Sequence, residues 1–341
     1  MLLKNYNAPH IKTRESNRTV MGDAVIALLP LYLMAFYFYG YRSLMLGLTS
    51  VVTCVVADCA CIKLRGVKLN ARDFSSIVTG MIIPLLLPAS IPYYVIIIGA
   101  IFAIVFVKQP FGGIGQNIFN PAAAAFAITA ISWPEKAFMY PLPLQKLEVF
   151  GEVTAKLIEG PAHTLKLGGV PTVTALDMIT GNFPGPMGAT NILVLATCFI
   201  YLVFRKTISW QTPVTFVATA AVAAFFFPRV TTGGSASVML ELLSGCLMFS
   251  AVFMLTDPVT SPKRGLAKYI YGMLAAIVTM LFRHFGGYEE TVLFAVLLMN
   301  AFTPIIDRLS EIILRILRRV HFEPKKPNNK NTQGKPKKNP A

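Results

Sequence analysis

Long apolar runs, separated by short polar segments, dominate the chain. The runs cover residues 20–40, 44–63, 73–88, 92–108 and 122–133, and then 191–204, 212–227, 237–255, 266–282 and 291–306. A helix needs about 20 mostly apolar residues to cross the hydrocarbon core of a bilayer. The pattern therefore predicts an all-α integral membrane protein with about ten transmembrane helices, some of them short or interrupted.

The two sets of five runs resemble each other in their third and fifth members. Each third run is interrupted and ends in proline, at Pro88 and at Pro258, and each fifth run carries an Asn and a Pro, within 119–121 and 299–304. An odd number of spans per half makes the halves inverted, an arrangement that places a site or pathway near the midplane between them. We expect two inverted five-helix repeats, while the alternative is that apolar helices with Gly and Pro look alike by chance.

The polar segments divide the chain into five parts. These are an N-terminal tail at 1–19, a first repeat at 20–133, a long connection at 134–189, a second repeat at 190–306 and a final part at 307–341. Within the final part, residues 307–320 predict an amphipathic helix on the inner membrane surface. The remaining tail is rich in Lys, Asn and Pro, a composition typical of disorder.

The charge distribution predicts the orientation. Only 14% of the residues are charged, against about 25% in a soluble domain, and the net charge is +15. Lys and Arg concentrate in the connections at 63–72, 108, 205–206 and 263–268. The other short connections carry only Arg42, Arg229 and Arg283. The positive-inside rule therefore predicts that both termini lie on the inner side of the cell inner membrane and that Thr190 lies on its outer side. The same rule explains the net positive charge without nucleic acid as a partner.

Two carboxylates, Asp58 and Glu241, lie within apolar runs. A charged group in a membrane span is costly and is usually functional or paired. Both residues are therefore candidates for a cation path. Pairing with a neighbouring subunit or capping of a helix explains them equally well.

The segment 181–190 is the most irregular stretch of the chain, with the sequence GNFPGPMGAT. Gly and Pro bend such a segment and let other groups approach its backbone. Thr190, which follows Gly188 and Ala189, is expected near the N-terminus of the next helix, where amide N–H groups favour an anion such as a phosphate. The competing interpretation is that Thr190 is simply an N-cap.

Three further polar residues point to a cofactor or a cavity. Asn117 and Asn120 lie in an irregular insertion, and their amides can hold the edge of an isoalloxazine ring or line a cavity. Asp257 lies in a proline-bounded turn and is either a structural turn residue or a cofactor contact. No Ser/His/Asp set, paired carboxylates, zinc spacing or disulfide framework is visible.

Four motifs carry a family resemblance, in this order: GGIGQNIFNPAA at 112–123, GNFPGPMGAT at 181–190, TDPVTSP at 256–262 and LLMNAFTPIID at 297–307. Over residues 17–307 the chain resembles the family of D-type subunits of the Rnf complex, the ion-translocating ferredoxin:NAD oxidoreductase. It is similar also to the B-type subunit of the sodium-pumping NADH:quinone oxidoreductase. The resemblance implies a urea-transporter-like fold of ten helices in two inverted repeats, within a complex that contains the Rnf subunits A, B, C, E and G.

The resemblance also implies two flavins. One is FMN, joined through its phosphate to the hydroxyl of Thr190 by a separate flavin transferase, which needs an accessible hydroxyl on a flexible outer turn. Met187 departs from the family pattern, which has a small hydroxyl residue at that position. The other is riboflavin, held without a covalent bond by contacts that no motif fixes.

Two functional hypotheses follow. In the first, the chain is a membrane flavoprotein subunit of a redox-driven Na⁺ or H⁺ pump between ferredoxin and NAD, and it is not catalytic alone. In the second, it is an inverted-repeat channel or secondary transporter without a redox role. A covalent flavin discriminates the two, since a transporter has no use for one.

Overall fold

The computed structural model describes residues 17–66, 74–113, 115–145, 147–151, 153–231 and 233–321. The helices of the first half are α1 (Asn17–Tyr39), α2 (Tyr41–Leu64), α3 (Ser75–Leu85), α4 (Tyr93–Phe102) and α5 (Pro121–Ser132). Those of the connection are α6 (Pro134–Ala137), α7 (Pro161–Lys166) and α8 (Ala175–Thr180). Those of the second half are α9 (Ile192–Phe204), α10 (Gln211–Phe226), α11 (Gly234–Leu243), α12 (Leu247–Phe249), α13 (Gly265–Phe285) and α14 (Val292–His321).

Two π-helical segments and one small hairpin complete the described elements. The segment π1 (Ala103–Lys108) continues α4, and π2 (Ser250–Met254) continues α12. Strands β1 (Met139–Pro141) and β2 (Leu157–Glu159) pair antiparallel in the connection, with Met139 opposite Glu159.

The helices fall on the predicted apolar runs. Four of them, α1, α2, α13 and the first 25 residues of α14, are long and apolar enough to cross a membrane, and α11 with α12 and π2 forms a fifth candidate bent by 66°. Five shorter apolar helices occupy the remaining runs. The chain is thus a multi-pass helical membrane protein, and its ten-span inverted topology stays a prediction.

Both predicted interruptions are present. Helix α3 ends at Leu85, just after Pro84, and the chain runs without helix to Pro92. In the second half the break follows Leu243 and includes Gly245, whose φ of +67° is a conformation that glycine adopts readily. Each half therefore contains a helix that stops inside the bundle.

The two halves share one hydrophobic core, which draws buried residues from the helices of both. At one end of the bundle the start of α1 is tied to the end of α9, because Asp23 binds Arg205 at 3.1 Å and accepts the Thr207 hydroxyl at 2.9 Å. A smaller cluster, made by Leu165, Met178, Phe183, Val230 and Leu240, packs the connection against α11.

The C-terminal part differs from expectation. Residues 307–321 continue α14 without a break, so the predicted amphipathic segment is the end of the last long helix and not a separate one. The predicted tails at 1–16 and 322–341 and the loop at 67–73 lie outside the described residues.

Candidate functional site

The sequence-predicted site residues lie at two opposite ends of the bundle. Thr190 precedes the first residue of α9, whereas Leu202, near its last residue, lines the same cavity as Asn117, Asn120 and Asp257. A helix of 13 residues is about 20 Å long. We call these ends the Thr190 face and the Asp257 face.

On the Thr190 face, the segment 181–190 covers the end of the broken helix α3. The backbone N–H of Gly188 donates to the carbonyl of Leu85 at 2.8 Å, and that of Met187 donates to Leu87 at 3.1 Å. The last carbonyls of a helix have no partner within it, so this segment supplies one. A Cβ on residue 188 would lie 2.5 Å from the Cβ of Leu85, which explains the glycine.

The structure corrects the expectation of an accessible hydroxyl. Thr190 is only 2% exposed. It lies below Gly185, where a Cβ would come within 2.8 Å of the Thr190 Cγ2, and beside the buried Phe183. Close packing of the glycine-rich segment onto the end of α3 is the physical reason. Met187 is buried in the same layer, so its side chain serves the core.

Thr190 is not the N-cap of α9. That role belongs to Asn191, whose side-chain oxygen accepts the N–H of Val194 at 3.0 Å while its amide donates to the carbonyl of Thr180 at 2.7 Å. The Thr190 hydroxyl has no hydrogen-bond partner among the described residues. Capping therefore does not account for this threonine, which leaves its oxygen available for chemistry.

On the Asp257 face, a cleft with an empty volume of about 820 Å³, its open mouth included, lies where the two halves meet. Both described π-helical segments reach it, since Lys108 ends π1 and Val252 and Phe253 belong to π2. π-Helical turns are rare and occur frequently at functional sites. The polar residues of its lining are Ser75, Thr79, Lys108, Asn117, Asn120, Thr207, Thr256 and Asp257.

Asn120 and Asn117 each use one atom of the side-chain amide in hydrogen bonds within the protein. The Asn120 oxygen caps α5 by accepting the N–H groups of Ala122 and Ala123 at 3.0 and 3.1 Å. The Asn117 amide nitrogen donates to the carbonyl of Phe119 at 3.0 Å. Within the described chain the Asn120 nitrogen and the Asn117 oxygen have no partner, so the two residues offer the cavity one donor and one acceptor.

The predicted fifth-run motifs of the two halves meet at this cavity. With its amide oriented to satisfy its neighbours, Asn300 accepts the backbone N–H of Asn120 at 2.9 Å and donates to Tyr271 and Val296. Asp257 closes its own turn, because its carboxylate accepts the hydroxyl of Thr260 at 2.9 Å. Asp257 also lines the cavity, so it is both a structural residue of its turn and part of the cavity wall.

Asp58 is paired within its own chain. One oxygen accepts the Ser76 hydroxyl at 2.6 Å and lies 3.1 Å from the Lys108 ammonium, and the other accepts the Gln109 amide. Ser76 also accepts a hydrogen bond from Lys108 at 2.7 Å. These four residues form the Asp58 cluster; all four are buried, and Lys108 is the member that lines the cavity. A neighbouring subunit is not needed to pair Asp58.

Glu241 is held by two arginines. Arg229 donates to both of its oxygens, and Arg283 donates to one of them at 2.7 Å and to the Glu241 carbonyl at 2.6 Å. Arg283 also reaches the carbonyl of Ser244 at the break in α11–α12. These residues form the Glu241 cluster on the Thr190 face. Two arginines bound to one carboxylate disfavour the binding of a further cation there. The contacts of Glu241 therefore indicate a structural role, which is to hold the break between α11 and α12 in place.

Sequence reasoning missed several residues of these clusters. The charge pattern treats Lys108, Arg229 and Arg283 as loop cations, yet each side chain is buried or nearly so. It does not single out Glu290, although this residue accepts the N–H of Cys246 at 2.9 Å, at the N-terminus of the half-helix α12. The sequence signal for Glu290 is no more than a carboxylate beside an apolar run.

One carboxyl outside the spans has an unusual pKa. Burial, and next the nearby charges of Glu290 and Glu159, raise the pKa of Glu289 to about 8. Glu289 therefore holds a proton near neutral pH, in the loop between α13 and α14. No group of three or more His, Cys, Asp or Glu suited to a metal ion occurs in the described residues.

A helical membrane protein whose halves enclose a polar cavity and bury two ion clusters is typical of proteins that move charge across a membrane. The chain belongs to the NQR2, RnfD, RnfE family, whose model matches residues 4–312.

Three relatives share about a third of their residues with it. The D subunit of the Na⁺-translocating ferredoxin:NAD⁺ oxidoreductase complex of Acetobacterium woodii is 32% identical over 89% of this chain and 92% of its own length. The D subunit of the proton-translocating ferredoxin:NAD⁺ oxidoreductase complex of Clostridium ljungdahlii is 32% identical over 89% and 93%. The D subunit of the ion-translocating oxidoreductase complex of Halorhodospira halophila is 33% identical over 88% and 91%.

Proposed function

We propose that this chain is the D-type membrane subunit of a redox-driven, ion-translocating ferredoxin:NAD⁺ oxidoreductase complex, in which it carries electrons on bound flavin and is not catalytic alone. Family membership and the names of the three relatives support this role. Its partners are then the other subunits of such a complex, A, B, C, E and G. The relatives are named for different ions, so the choice between Na⁺ and H⁺ is a matter for direct measurement.

The cavity on the Asp257 face is the observation that carries the redox role. It lies between the two halves and is reached by both π-helical segments. It presents an unpartnered amide N–H of Asn120 and an unpartnered carbonyl oxygen of Asn117. The edge of an isoalloxazine ring combines carbonyl oxygens with an N–H, which is the complementary set.

We assign the non-covalent flavin, riboflavin, to this cavity. Asn120 would donate to a ring carbonyl and Asn117 would accept from the ring N–H. When bound, the flavin supplies one- and two-electron chemistry. The chain's own contribution is to hold the ring edge through the two amides, to keep Asn120 in place through Asn300, and to surround the site with apolar helix.

We assign the covalent FMN to Thr190, attached through its phosphate by a flavin transferase. The hydroxyl is unpartnered among the described residues and precedes the N-terminus of α9, where helix N–H groups favour a phosphate. The closed segment 181–190 leaves no room for a flavin beside Thr190. The segment must therefore be lifted while the bond forms.

The test of the covalent site uses the complex co-expressed with a flavin transferase. The denatured chain should gain the mass of one FMN less one water and fluoresce on a denaturing gel. Thr190→Val should abolish both signals, whereas Thr180→Val, which removes an exposed hydroxyl nearby, should keep them. Covalent flavin on Thr190→Val protein would refute the site. An unmodified wild-type chain would instead favour a transporter without a redox role, to be tested by ion flux.

The cavity is tested by flavin that acid releases from the purified complex. Asn120→Asp retains an oxygen that caps α5 but loses the amide donor, so the released riboflavin should fall while the covalent FMN stays. The exposed Asn17→Asp variant at the start of α1 adds the same charge elsewhere and should lose neither flavin. Full riboflavin content in Asn120→Asp would exclude this cavity.

We further propose that the chain lies in the cell inner membrane as two inverted five-helix repeats, with the Asp257 face inside and Thr190 outside. The bias of Lys and Arg supports this orientation. The three arginines predicted for the outer side, Arg42, Arg229 and Arg283, support it further, because their side chains are buried or nearly so and bind within the protein. Arg42, for example, donates to the carbonyls of Ala89 and Glu148. A reporter that is active only outside the membrane should be active after Thr172 and inactive after residue 341.

Of the two candidate ion-path residues, Asp58 suits a cation better than Glu241 does. Asp58 binds one cationic side chain, Lys108, which lines the cavity, whereas Glu241 binds two arginines. We keep Asp58 as the candidate for the ion path. Ion uptake driven by ferredoxin in vesicles should be impaired more by Asp58→Asn than by changes at exposed carboxylates.

A further inference from the structure

Lys108 is the charged group of the cavity for which the proposed function has no role. Among the described lining residues it carries the single positive charge, and Asp257 carries the single negative one. Asp257 already accepts hydrogen bonds from its own turn. Lys108 comes from the other half of the chain, at the end of π1, and is 3% exposed.

The surroundings of Lys108 make its charge effective over a distance. Its ammonium lies between Asp58 at 3.1 Å and Ser76 at 2.7 Å. A charge that is shielded from water acts on its neighbours far more strongly than one at a hydrated surface. Any negative charge that appears in the cavity therefore interacts with this ammonium in competition with the carboxylate of Asp58.

We propose that Lys108 sets the reduction potential of the flavin in the cavity, and that its hold on Asp58 weakens when that flavin is reduced. This inference rests on the proposed function, which supplies the flavin and its electrons. The electrons come from the reduced ferredoxin named for the relatives and pass through the partner subunits. The donor is oxidised, the flavin is reduced, and each electron adds one negative charge unless a proton follows it. A fixed positive charge favours the reduced form and thus raises the potential.

The geometry of π1 suits such a role. A π-helical turn holds an additional residue in the helix and occurs frequently at functional sites. Lys108 is the last residue of this turn, and Gln109, the next residue, also binds Asp58. Asp58 thus retains hydrogen bonds from Ser76 and Gln109 when the ammonium turns toward the cavity.

The experiment is a spectroelectrochemical titration of the purified complex. Lys108→Met removes the charge at nearly constant size and should shift the equilibrium of the cavity flavin toward its oxidised form at least tenfold. That shift lowers the potential by about 59 mV for a one-electron couple. Lys108→Arg should retain the potential of the wild type. Lys206→Met, which removes an exposed charge on the same face, should leave it unchanged.

A second variant keeps the test decisive if Lys108→Met folds poorly. Asp58→Asn with Lys108→Met removes both members of the ion pair and should still lower the potential. An unchanged potential in this double variant, with full flavin content, overturns the inference and leaves the proposed function standing. If the wild-type complex releases no riboflavin, the cavity assignment is wrong and the inference falls with it.

An infrared difference spectrum tests whether the contact between Lys108 and Asp58 weakens when the flavin is reduced. Reduction should shift a carboxylate band that Asp58→Asn removes. A spectrum without any such band would show that Asp58 does not sense the flavin, and it would overturn the second half of the inference.

Discussion

Asp58 and Glu241 are both single carboxylates in apolar helices, and the structure surrounds them differently. Asp58 faces one ammonium and two neutral donors at the wall of a cavity. Glu241 faces two guanidinium groups at a break in a helix. The first set pairs its carboxylate with one ammonium, and the second holds its carboxylate between two guanidinium groups. A buried acid in a membrane helix is therefore informative only together with the number and type of its partners.

The largest effect is expected at Glu241. Glu241→Gln removes the carboxylate that the buried Arg229 and Arg283 bind directly and should destabilise the protein by about 3–5 kcal/mol. Thermal unfolding in detergent, followed by loss of the monodisperse peak, measures this. Glu311→Gln, which removes a carboxylate paired with Arg264 and Arg315 at the surface, is the control and should shift stability by less than about 1 kcal/mol. Equal effects at the two sites would remove the distinction between them.

A pair of double variants sharpens the comparison. Asp58→Asn alone should cost about 3 kcal/mol, but Asp58→Asn with Lys108→Met should return to within about 1 kcal/mol of the wild type, because both members of the ion pair are removed together. Glu241→Gln with Arg283→Met should not recover, since Arg229 stays buried. Thermal unfolding of the single and double variants gives both coupling energies. Recovery of both doubles would show that each cluster is a simple pair.

Gly245 tests how the break beside the Glu241 cluster is built. Gly245→Ala introduces a Cβ at a φ of +67°, directly against the Glu290 carboxylate, and should cost about 1–3 kcal/mol. Gly287→Ala, with open space around it, is the matched control. If both substitutions are tolerated equally in thermal unfolding, the break does not depend on the contact with Glu290.

The smallest effect concerns pH. The pKa of Glu289 is raised from its ordinary value of 4.5 to about 8, so the folded protein binds a proton there that the unfolded chain releases. Its contribution to stability is therefore lost as the pH rises between these two values. Unfolding temperatures across this range should fall less steeply for Glu289→Gln. The flanking charges of Glu290, Glu159 and Lys166 remain in both proteins, so the difference between the two profiles reports Glu289 alone.

The sequence predicted the helices well because their apolar runs are long and their interruptions contain Gly and Pro. It also predicted that Thr190 lies just before a helix. The pairing of charges was out of reach, because Arg283 is 42 residues from Glu241 and Lys108 is 50 residues from Asp58. The positive-inside rule treats these Lys and Arg side chains as exposed loop residues, whereas the structure buries them. The role of Asn120 as an N-cap was within reach, since Asn followed by Pro is a frequent helix start.

Other parts of the site could not be predicted from residue types. The π-helical segments have no signature in the apolar pattern, and they depend on how the halves pack. The burial of Thr190 depends on hydrogen bonds from Met187 and Gly188 to the end of α3, about 100 residues earlier in the chain. Glycine in 181–190 indicated a close approach, but not which helix end it approaches.

The closed segment over Thr190 has a consequence for the order of events in biogenesis. A modifying enzyme has little access to a threonine that is 2% exposed. Any group placed on this threonine must arrive before residues 181–190 settle onto α3, or during an excursion in which they detach. The modification of Thr190 then competes in time with the last stage of folding. A chain that closes first is well folded but stays unmodified until the segment detaches again.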